Sequence, residues 1–509
     1  MKRKYLIPVT FIIWLGFSGC QKLNEDPKAT LTPASYFKTQ SDLNAALAGV
    51  YTVLSYDGSY GFTSRMTSYF GADDLTTDPG LNKADMRDFD RLSGGSANGS
   101  MEAEWQGPWR CIYQANNLLA NYQKVNTADS LKNQAAGQAL FLRGLSYYML
   151  VRTFGPVPLV LIPIGADDRP DRADIPSVYA SIVSDLQTAI GFLPVSFPGE
   201  PGKATLNAAK SLLADVYLTM AGWPLKQQDH YALAATQANE VIQSGQYSLV
   251  PQFANVFNQN NTSESIFALQ FDVSGSLPQR TYGSSCVPLD EIATNNSSGW
   301  DDYYPEINFY LKAPVCDRTD ATFYTTLKLK QTDNSFLLVP WSSPLTHAGH
   351  PYYKKFRSGL GSDGVSETAT VINSINPSTN KALDLIRYPL VLLDFAEATA
   401  LATGTASADA YAAINMVRLR AGEAPLTPGL SATDFQDSVV TERGYEFAGE
   451  TGVRWFDICR LQILPQVLAA RSASENPINP TTVIQNAYLA PIPNSEMLRN
   501  PKWTQNPGY

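Results

Sequence analysis

One apolar run, residues 139–160, constrains the fold more than any other stretch of the chain: ALFLRGLSYYMLVRTFGPVPLV. Its first sixteen residues are broken only by Arg143, Ser146 and Arg152. A helix that is hydrophobic all round is buried, so the run predicts a helix with other helices packed on every side. Arg143 and Arg152 are nine residues apart, about 180° around a helix at roughly 100° per residue. We therefore expect the two arginines to find separate partners.

The N-terminus has the features of an export signal. Three basic residues, 2–4, precede thirteen largely apolar residues, and Ser-Gly-Cys20 follows. Thirteen residues are too few to span a bilayer of roughly 30 Å as a helix. Small residues directly before a cysteine are typical of a lipobox. We predict a signal peptide over 1–19, lipidation of Cys20 and a polar tether with an extended lead-in over 20–40, with an ordinary signal peptide cleaved nearby as the alternative.

Charge and cysteine content narrow the possible functions. The formal net charge is −9 and no Lys/Arg run follows the first four residues, so no nucleic-acid groove is expected. Beyond Cys20, the cysteines are Cys111, Cys286, Cys316 and Cys459, and none forms a CxxC pair, so no metal cluster is predicted. Export permits disulfides, and Cys286 with Cys316 is the pair to test first. Four independent buried thiols agree with the spacing at least as well.

Helix follows helix over much of the chain. Apolar residues recur at helical spacing over about 41–57, 102–245 and 383–464. Two intervening regions, about 59–100 and 251–382, lack a sustained helical period and are rich in Gly, Asp, Ser, Asn and Pro. We predict a mostly all-α fold with long irregular loops and minor β-strand content.

A weak repeat accompanies these helices. Gly144 precedes Tyr147 by three residues, and Ala214 precedes Tyr217 by three. The two small residues are 70 positions apart, twice a period near 34, which is the length of a tetratricopeptide repeat. A small residue at this spacing lets paired helices approach closely. The pattern favours a superhelix of tetratricopeptide-like helical pairs.

The irregular regions contain more aromatic rings than loops need. They include Tyr69, Phe70, Trp300, Tyr303, Tyr304, Tyr310, Trp341, Tyr352 and Tyr353. Aromatic faces beside Asp, Asn and Arg bind a sugar ring or a peptide side chain while hydrogen bonds fix its orientation. Most of these rings could instead pin a loop to the body. We expect two or three to face solvent.

Three glutamates stand at i, i+4 and i+8 of one predicted helix: Glu442, Glu446 and Glu450. Neighbours in such a row are about 6 Å apart, near the carboxylate separation of glycosidases. The alternative is a structural network with nearby arginines: Arg443, Arg454 and Arg460. We favour the network, because a catalytic pair normally flanks a cleft from different elements. A glycoside hydrolase is the second hypothesis.

Metal and cofactor motifs are weak. His347 and His350 stand three residues apart in a Pro- and Gly-rich segment with no third ligand nearby, so no metal site is predicted. Aspartates crowd the first irregular region without the spacing of a calcium loop: Asp73, Asp74, Asp78, Asp85, Asp88 and Asp90. Serine-nucleophile, Walker and dinucleotide-binding motifs are absent. No cofactor is expected, and Ca²⁺ at these aspartates is the one cation left open.

Several segments together resemble the SusD/RagB family, the lipid-anchored nutrient-binding proteins of the Gram-negative outer membrane. The matching segments are FLRGLSYYMLVRTFGPVPLV (141–160), LLADVYL (212–218), IRYPLVLLDFAEA (386–398), INMVRLRAG (414–422), TERGYEFAGETGVRWFDICR (441–460), PIPNSEM (491–497) and NPKWTQNPGY (500–509). They follow one another along most of the chain outside the two irregular regions. The resemblance implies one domain over 41–509, in which tetratricopeptide-like helical pairs support variable loops.

The resemblance also implies a function. Such proteins close as a lid over a SusC-like TonB-dependent transporter and trap oligosaccharides, or in some members peptides, without catalysis. The implied polar ligand contacts are Asp78, Arg87 and Asn98, and the implied ring platforms are Trp300, Tyr303, Tyr304 and Trp341. The alternatives are a lipid-anchored glycoside hydrolase that uses Glu446 or Glu450, and a structural repeat adaptor without a small-molecule ligand.

Overall fold

The computed structural model describes residues 36–56, 58–61, 63–78, 80–165, 167–271, 279–280, 285–286, 288–291, 301–333, 335–356, 378–379, 381–475 and 487–509. The predicted signal peptide, Cys20 and Trp300 lie outside these residues. None of the described helices is both long and apolar enough to cross a membrane.

Helices dominate the described chain. In order they are α1 (Gln40–Thr52), α2 (Ala84–Asp90), α3 (Gly99–Leu119), α4 (Asp129–Phe154), α5 (Ile175–Phe192), α6 (Leu206–Ala221), α7 (His230–Gln243), α8 (Phe253–Asn258), α9 (Ile307–Leu311), α10 (Asp317–Thr322), α11 (Tyr388–Thr403), α12 (Ala408–Arg420), α13 (Ala432–Glu446), α14 (Val453–Leu461), α15 (Leu464–Ala470) and α16 (Asn494–Arg499). Short 3₁₀ helices cover Val53–Ser55, Thr63–Gly71, Leu81–Lys83, Tyr122–Lys124 and Leu289–Glu291.

The described strands form short two-stranded antiparallel sheets. The strands are β1 (Val157–Pro158), β2 (Arg172–Ala173), β3 (Ser265–Leu269), β4 (Gln279–Arg280), β5 (Phe323–Tyr324), β6 (Thr326–Lys330), β7 (Phe336–Pro340), β8 (Tyr352–Tyr353), β9 (Ser378–Thr379) and β10 (Leu383–Arg387). The pairs are β1–β2, β3–β10, β4–β9, β5–β8 and β6–β7.

The apolar run forms the C-terminal part of α4, which is buried from Ala135 onwards at nearly every position. Arg143 forms a two-pronged ion pair with Asp185, with Nε and Nη2 each 2.7 Å from a carboxylate oxygen. Arg152 lies on the other side, with its guanidinium 3.6 Å from the ring centroid of Tyr148 and 3.8 Å from Oδ2 of Asp215. The prediction of separate partners is confirmed.

Helical packing continues across the second irregular region. Helices α3 to α7 pack as successive neighbours, α7 then packs against α11, and α11 packs against α12 and α13. The chain between α7 and α11 is therefore an excursion from one helical stack. The β3–β10 pair joins the start of this excursion to its end. In this pair Leu383 lies opposite Leu269, and Arg387 lies opposite Ser265. The predicted all-α, tetratricopeptide-like fold with minor strand content is confirmed.

The first irregular region contains more structure than its sequence predicted. Residues 63–71 form 3₁₀ turns and α2 follows, and both Tyr69 and Phe70 are buried. The ring of Tyr69 meets that of Phe456 edge to face at a centroid distance of 5.3 Å. Short helical turns give no sustained 3.6-residue period, so the amphipathic signal is absent although the segment belongs to the core.

The four described cysteines are buried and form no disulfide: Cys111, Cys286, Cys316 and Cys459. The tentative Cys286–Cys316 disulfide is therefore absent, and the alternative of independent thiols is confirmed. Cys286 Sγ lies 3.5 Å from the carbonyl oxygen of Tyr353. Burial raises the pKa of the Cys111 thiol to about 12, which keeps it protonated and unreactive at neutral pH.

The C-terminal tail packs along the body. Asn506 Nδ2 donates to the carbonyl oxygens of Phe154 and Ala490, at 2.8 and 2.7 Å. The ring of Trp503 packs against that of Trp105 on α3 at a centroid distance of 6.3 Å. The tail thereby forms a wall beside the N-terminal half of α3.

Candidate ligand-binding site

The two irregular regions meet at a short antiparallel bridge. The Thr76 N–H donates to the Tyr304 carbonyl oxygen at 2.8 Å, and the Tyr304 N–H donates back to Thr76 at 3.1 Å. The Thr77 hydroxyl adds a 2.6 Å hydrogen bond to the carbonyl oxygen of Asp302. The bridge brings side chains from residues 77–83 close to those from 301–304, although more than 200 residues separate them in sequence.

Polar side chains collect at this junction and form what we call the Asp301 cluster: Asp78, Lys83, Asp290, Asp301, Asp302 and His347. Asp78 and Lys83 come from the first region. Asp290 lies in a 3₁₀ turn, Asp301 begins the segment that leads to the bridge, and His347 lies in the turns after β7. The cluster is thus assembled from four separate segments of the chain.

His347 ties the carboxylates together. Its Nδ1 atom lies 2.9 Å from Asp301 Oδ2 and 3.5 Å from Asp78 Oδ2. Its backbone N–H donates to both carboxylate oxygens of Asp290, at 3.1 and 3.2 Å. The side chain of His347 is 46% exposed, whereas that of Asp301 is 1% exposed. The cluster therefore extends from a buried carboxylate to a solvent-exposed imidazole.

Some acceptor capacity in the cluster is unused. Asp301 Oδ1 and Asp302 Oδ2 are buried and receive no hydrogen bond of normal geometry from a described residue, although the Tyr352 hydroxyl lies near Asp301. Lys83 Nζ contacts the other oxygen of Asp302. Burial raises the pKa of Asp301 and lowers that of Lys83. A buried carboxylate oxygen without a donor is costly, so each of these oxygens would gain a hydrogen bond from a ligand hydroxyl that reached it.

The backbone at Asp301 is unusual as well. Its φ is 52°, in the left-handed region that residues other than Gly seldom occupy, although Asp tolerates it better than most. Such conformations cost about 1–3 kcal/mol and cluster at ligand-binding positions. The turn directs the chain back toward the Thr76 bridge while Asp301 contacts His347.

Three members of the cluster could hold a metal ion. One ligand atom each from Asp78, Asp301 and His347 lies within 4.8 Å of the other two. The expectation that His347 has no third ligand nearby is wrong, because chain folding brings both aspartates to it. One imidazole with two carboxylates suits Zn²⁺ or Mn²⁺ better than Ca²⁺, which prefers six or more oxygen ligands. Lys83 would compete with any cation.

The other aspartates of the first region have their own partners. Asp73 pairs with Arg454 at 2.6 Å, and Asp90 pairs with Arg471 at 2.7 Å. Asp74 accepts the Gly449 N–H at 2.8 Å. Because these three aspartates contact different partners, they do not converge on one calcium site. Binding of Ca²⁺ by aspartates of the first region remains an open possibility of the sequence analysis.

The predicted polar contacts have different roles. Asp78 belongs to the cluster. Arg87 Nη1 donates to the carbonyl oxygen of Gly80 at 2.6 Å, which braces the loop that carries Asp78. Asn98 caps α3: its Oδ1 accepts the Met101 N–H at 3.0 Å, and the side chain is largely buried. Asn98 is therefore a structural residue in this structure, because a helix N-terminus needs such an acceptor.

The predicted ring platforms are mostly inaccessible. Tyr303 and Tyr304 are 0% and 1% exposed, and Tyr304 stacks on His350 at a centroid distance of 4.3 Å. The expectation that these two rings offer a free face is wrong for this structure, because Tyr303 packs in the main core and Tyr304 packs in a separate small apolar cluster with Tyr352. Trp341 remains partly exposed. Trp300 lies outside the described residues, and its role stays a prediction.

Asp301, Asp302, Lys83, Asp290 and His347 were not predicted as ligand contacts. The sequence did carry one signal for two of them. Asp301 and Asp302 sit inside the ring-rich run WDDYY, residues 300–304, where two adjacent carboxylates among aromatics already have the composition of a sugar site. Lys83, Asp290 and His347 carry no such local signal, since only tertiary folding places them there.

The glutamate row lies in a separate buried group, the Arg387 network. It joins five cationic side chains to five glutamates: Lys355, Arg318, Arg387, Arg418 and Arg420 with Glu264, Glu423, Glu442, Glu446 and Glu450. Arg387 alone lies 3.0 Å from Glu264, 3.0 Å from Glu446 and 2.9 Å from Glu450. The structural interpretation of the row is supported.

The predicted partners within that network were wrong. Arg443 and Arg460 pair with Asp457, each at 2.8 Å, and Arg454 pairs with Asp73. Helix α13 also ends at Glu446, so Glu450 does not continue the row but follows Gly449, whose φ is 70°. The glutamates instead meet cations from α10, β10 and α12, whose proximity depends on the tertiary fold.

Comparison with known proteins assigns the family. The model for the SusD family matches residues 341–509, and a second, described as "Starch-binding associating with outer membrane", matches residues 23–218. The chain belongs to the SusD/RagB family. SusD-like protein P2 of Formosa agariphila is 28% identical over the full length of both chains.

Solved structures share the fold. A SusD homolog from Bacteroides thetaiotaomicron superposes with a TM-score of 0.79 at 23% identity, covering 94% of this chain and 98% of the other. Surface glycan-binding protein A from the same species, solved in complex with laminarihexaose, gives a TM-score of 0.73 at 19% identity, covering 93% and 100%.

Proposed function

We propose that this SusD-like protein is a surface-exposed, lipid-anchored and non-catalytic binding protein. It captures oligosaccharides at the Asp301 cluster and delivers them to a SusC-like TonB-dependent transporter of the outer membrane. The observation that carries the proposal is that one buried oxygen of Asp301 and one of Asp302 accept no hydrogen bond of normal geometry from a described residue, beside the donors Lys83 and His347.

This chemistry suits a hydroxyl-rich ligand. Each sugar hydroxyl donates one hydrogen bond and accepts others. A carboxylate accepts the hydrogen bond that a sugar hydroxyl donates. The Lys83 ammonium or the His347 imidazole can donate a hydrogen bond to the same sugar. The related surface glycan-binding protein A of Bacteroides thetaiotaomicron is in complex with laminarihexaose, which supports a neutral oligosaccharide as the first probe. A peptide remains the second ligand class to test.

Capture without catalysis is favoured by the state of the carboxylates. Glu446 and Glu450 are fully engaged in the Arg387 network, so neither is placed to act on a substrate. Asp78 and Asp301 approach each other closely, near the roughly 5 Å separation of a retaining glycosidase pair. His347 contacts both, however, which ties each carboxylate to a donor and opposes a nucleophile and acid pair. Product analysis is therefore part of the test.

The test is calorimetric titration of the purified protein with laminarihexaose, a panel of other oligosaccharides and short peptides. Asp301→Asn should weaken binding of the ligand found by about 1–3 kcal/mol, because the amide presents a donor where the ligand donates. Asp437→Asn, an exposed aspartate of α13, is the matched control and should bind as the native protein does. Equal affinities of the two variants would contradict the assignment to the Asp301 cluster, and new reducing ends would contradict the non-catalytic role.

Membrane attachment and partnership need a cellular test. Cys20→Ala should release the protein from the outer-membrane fraction, because a lipid anchor is the proposed attachment. Co-purification of the native protein with an outer-membrane β-barrel transporter should accompany attachment. A Cys20→Ala protein that stays in the membrane fraction would contradict the anchor.

A further inference from the structure

A second cleft, which we call the Trp cleft, opens on a different part of the molecule. It has a volume of about 560 Å³ and lies between α3, the segment between β1 and β2, and the C-terminal tail. Six of its lining residues carry the argument: Trp105, Trp109, Arg110, Arg169, Arg499 and Trp503. The volume falls within the range of small-molecule sites, and none of its lining residues belongs to the Asp301 cluster.

Tilted tryptophan rings build the wall of the cleft. Trp105 is 3% exposed and meets Trp109 at a centroid distance of 5.8 Å and Trp503 at 6.3 Å, with interplanar angles of 52° and 62°. Trp105 is thus the buried support, and the partly exposed rings of Trp109 and Trp503 face the ligand space from two directions. Trp109 Nε1 is buried and donates to no acceptor among the described residues. The wall therefore offers mainly apolar ring surface to a ligand.

Arginines give the cleft a positive rim. Arg110 is exposed and forms no ion pair with any residue that the structure describes; its guanidinium lies 5.7 Å from the ring centroid of Tyr56. Arg499 is 65% exposed at the side chain and pairs with Glu496 at 3.2 Å. Asp168 is the other acidic lining residue, and its Oδ2 accepts the Gly165 N–H at 2.6 Å. Three arginines therefore face two carboxylates that are already engaged.

We propose that the Trp cleft is a second carbohydrate site, selective for oligosaccharides that carry carboxylate groups. Tryptophan faces bind the apolar face of a pyranose ring, and arginine binds a carboxylate with two parallel hydrogen bonds. A neutral sugar would use the rings but would bring no anionic group to the arginine-rich rim. An acidic sugar satisfies both, and its negative charge matches the excess of arginine at the rim.

The test uses tetragalacturonic acid as the acidic probe and maltotetraose as a neutral probe of equal length. The purified protein is titrated with each at 20 and 300 mM NaCl while tryptophan fluorescence and heat are recorded. Tetragalacturonic acid should shift the fluorescence and bind at least tenfold more tightly than maltotetraose. Its affinity should fall several-fold at the higher salt, because exposed charge pairs are screened.

Variants separate the two sites. Arg110→Gln combined with Arg499→Gln should weaken tetragalacturonic acid at least fivefold, whereas Lys38→Gln, which also removes an exposed positive charge, should leave it unchanged. Asp301→Asn should leave it unchanged as well, so the outcome does not depend on the function proposed for the Asp301 cluster. The Trp-cleft proposal is overturned if the arginine variant binds normally, if only Asp301→Asn abolishes binding, or if the two probes bind equally.

Discussion

The Arg387 network and the Asp301 cluster are both groups of charged side chains, but they differ in how fully those charges are satisfied. In the network, guanidinium and ammonium groups surround buried glutamates, and Arg387 alone contacts three of them. In the cluster, one buried oxygen of Asp301 and one of Asp302 accept no hydrogen bond of normal geometry from a described residue, and an exposed imidazole borders them. The buried glutamates of the network all contact cations, although Arg318 Nε and Arg420 Nε have no acceptor among the described residues. Buried carboxylates paired in this way indicate a structural role, whereas buried carboxylates with spare acceptor atoms beside an exposed group indicate binding.

The pKa values of Glu446 in the network and Asp301 in the cluster shift in opposite directions, although burial raises the pKa of two other network glutamates, Glu264 and Glu423. Burial alone would raise the pKa of Glu446, but Arg420, Arg387 and Arg318 lower it to about 2. For Asp301, burial outweighs the stabilising contacts from Tyr352 and His347, and its pKa is raised. A carboxylate whose charge is incompletely compensated gains most from a ligand that donates hydrogen bonds.

The largest effect should come from removing the central cation of the network. Arg387→Met leaves Glu264, Glu446 and Glu450 buried without their shared guanidinium, and the free energy of unfolding should fall by about 3–5 kcal/mol. Urea unfolding followed by circular dichroism measures it.

A matched surface pair supplies the control. Lys203→Met removes the partner of Glu200, and both side chains are well exposed, at 33% and 54%. This change should cost less than about 1 kcal/mol. Similar losses for Arg387→Met and Lys203→Met would mean that the buried network contributes no more than a surface ion pair, and the structural interpretation would fail.

The second-largest loss of stability should come from lowering the pH, because protonation of Glu446 removes its charge from the Arg387 network. Because the folded pKa of Glu446 is about 2 and its ordinary value is 4.5, this group stabilises the fold fully above about pH 4.5 and loses that contribution as the pH falls toward 2. The contribution is on the order of 2–3 kcal/mol. Urea unfolding at pH 7, 5 and 4 should show the advantage of the native protein over Glu446→Gln shrinking with acid. A constant advantage would contradict the lowered pKa.

The next prediction concerns the contribution of aromatic residues near the Asp301 cluster to ligand affinity. Trp300 directly precedes Asp301, and Trp300→Ala should weaken oligosaccharide binding by about 1–3 kcal/mol if its ring stacks on the sugar. Trp341 packs edge to face on Tyr310 at 5.9 Å, so Trp341→Ala should reduce stability more than affinity. Titration calorimetry and urea unfolding on both variants distinguish the two effects. Unchanged affinity in Trp300→Ala would remove it from the site.

Residue types and spacing predicted the scaffold better than the site. The apolar run of α4 allowed only a buried helix, and the opposite directions of Arg143 and Arg152 followed from helix geometry alone. The partners of Glu446 could not be predicted in that way, because Arg387 lies 59 residues away and reaches it through tertiary packing. Tyr303 and Tyr304 failed as platforms for a related reason: an irregular segment has no period that says which side of it faces the core.

The smallest effect concerns His350, which borders the cluster through its stacking on Tyr304. Its Nε2 lies 2.8 Å from Glu475 and its Nδ1 lies 2.7 Å from the carbonyl oxygen of Ala348. Both partners are acceptors, so both ring nitrogens must donate, which requires the protonated form. Burial opposes that charge, but the hydrogen bond from His350 to Glu475 outweighs it, and the pKa of His350 is raised.

A raised histidine pKa stabilises the fold fully below the unfolded value of about 6.5, and the contribution is lost as the pH rises through the folded value. The advantage of the native protein over His350→Gln should therefore decrease by about 1 kcal/mol or less between pH 6 and pH 8.5. Thermal unfolding of both proteins across that range measures the difference. An advantage that grows with pH would mean that His350 is neutral in the fold, and the charged contact with Glu475 would have to be abandoned.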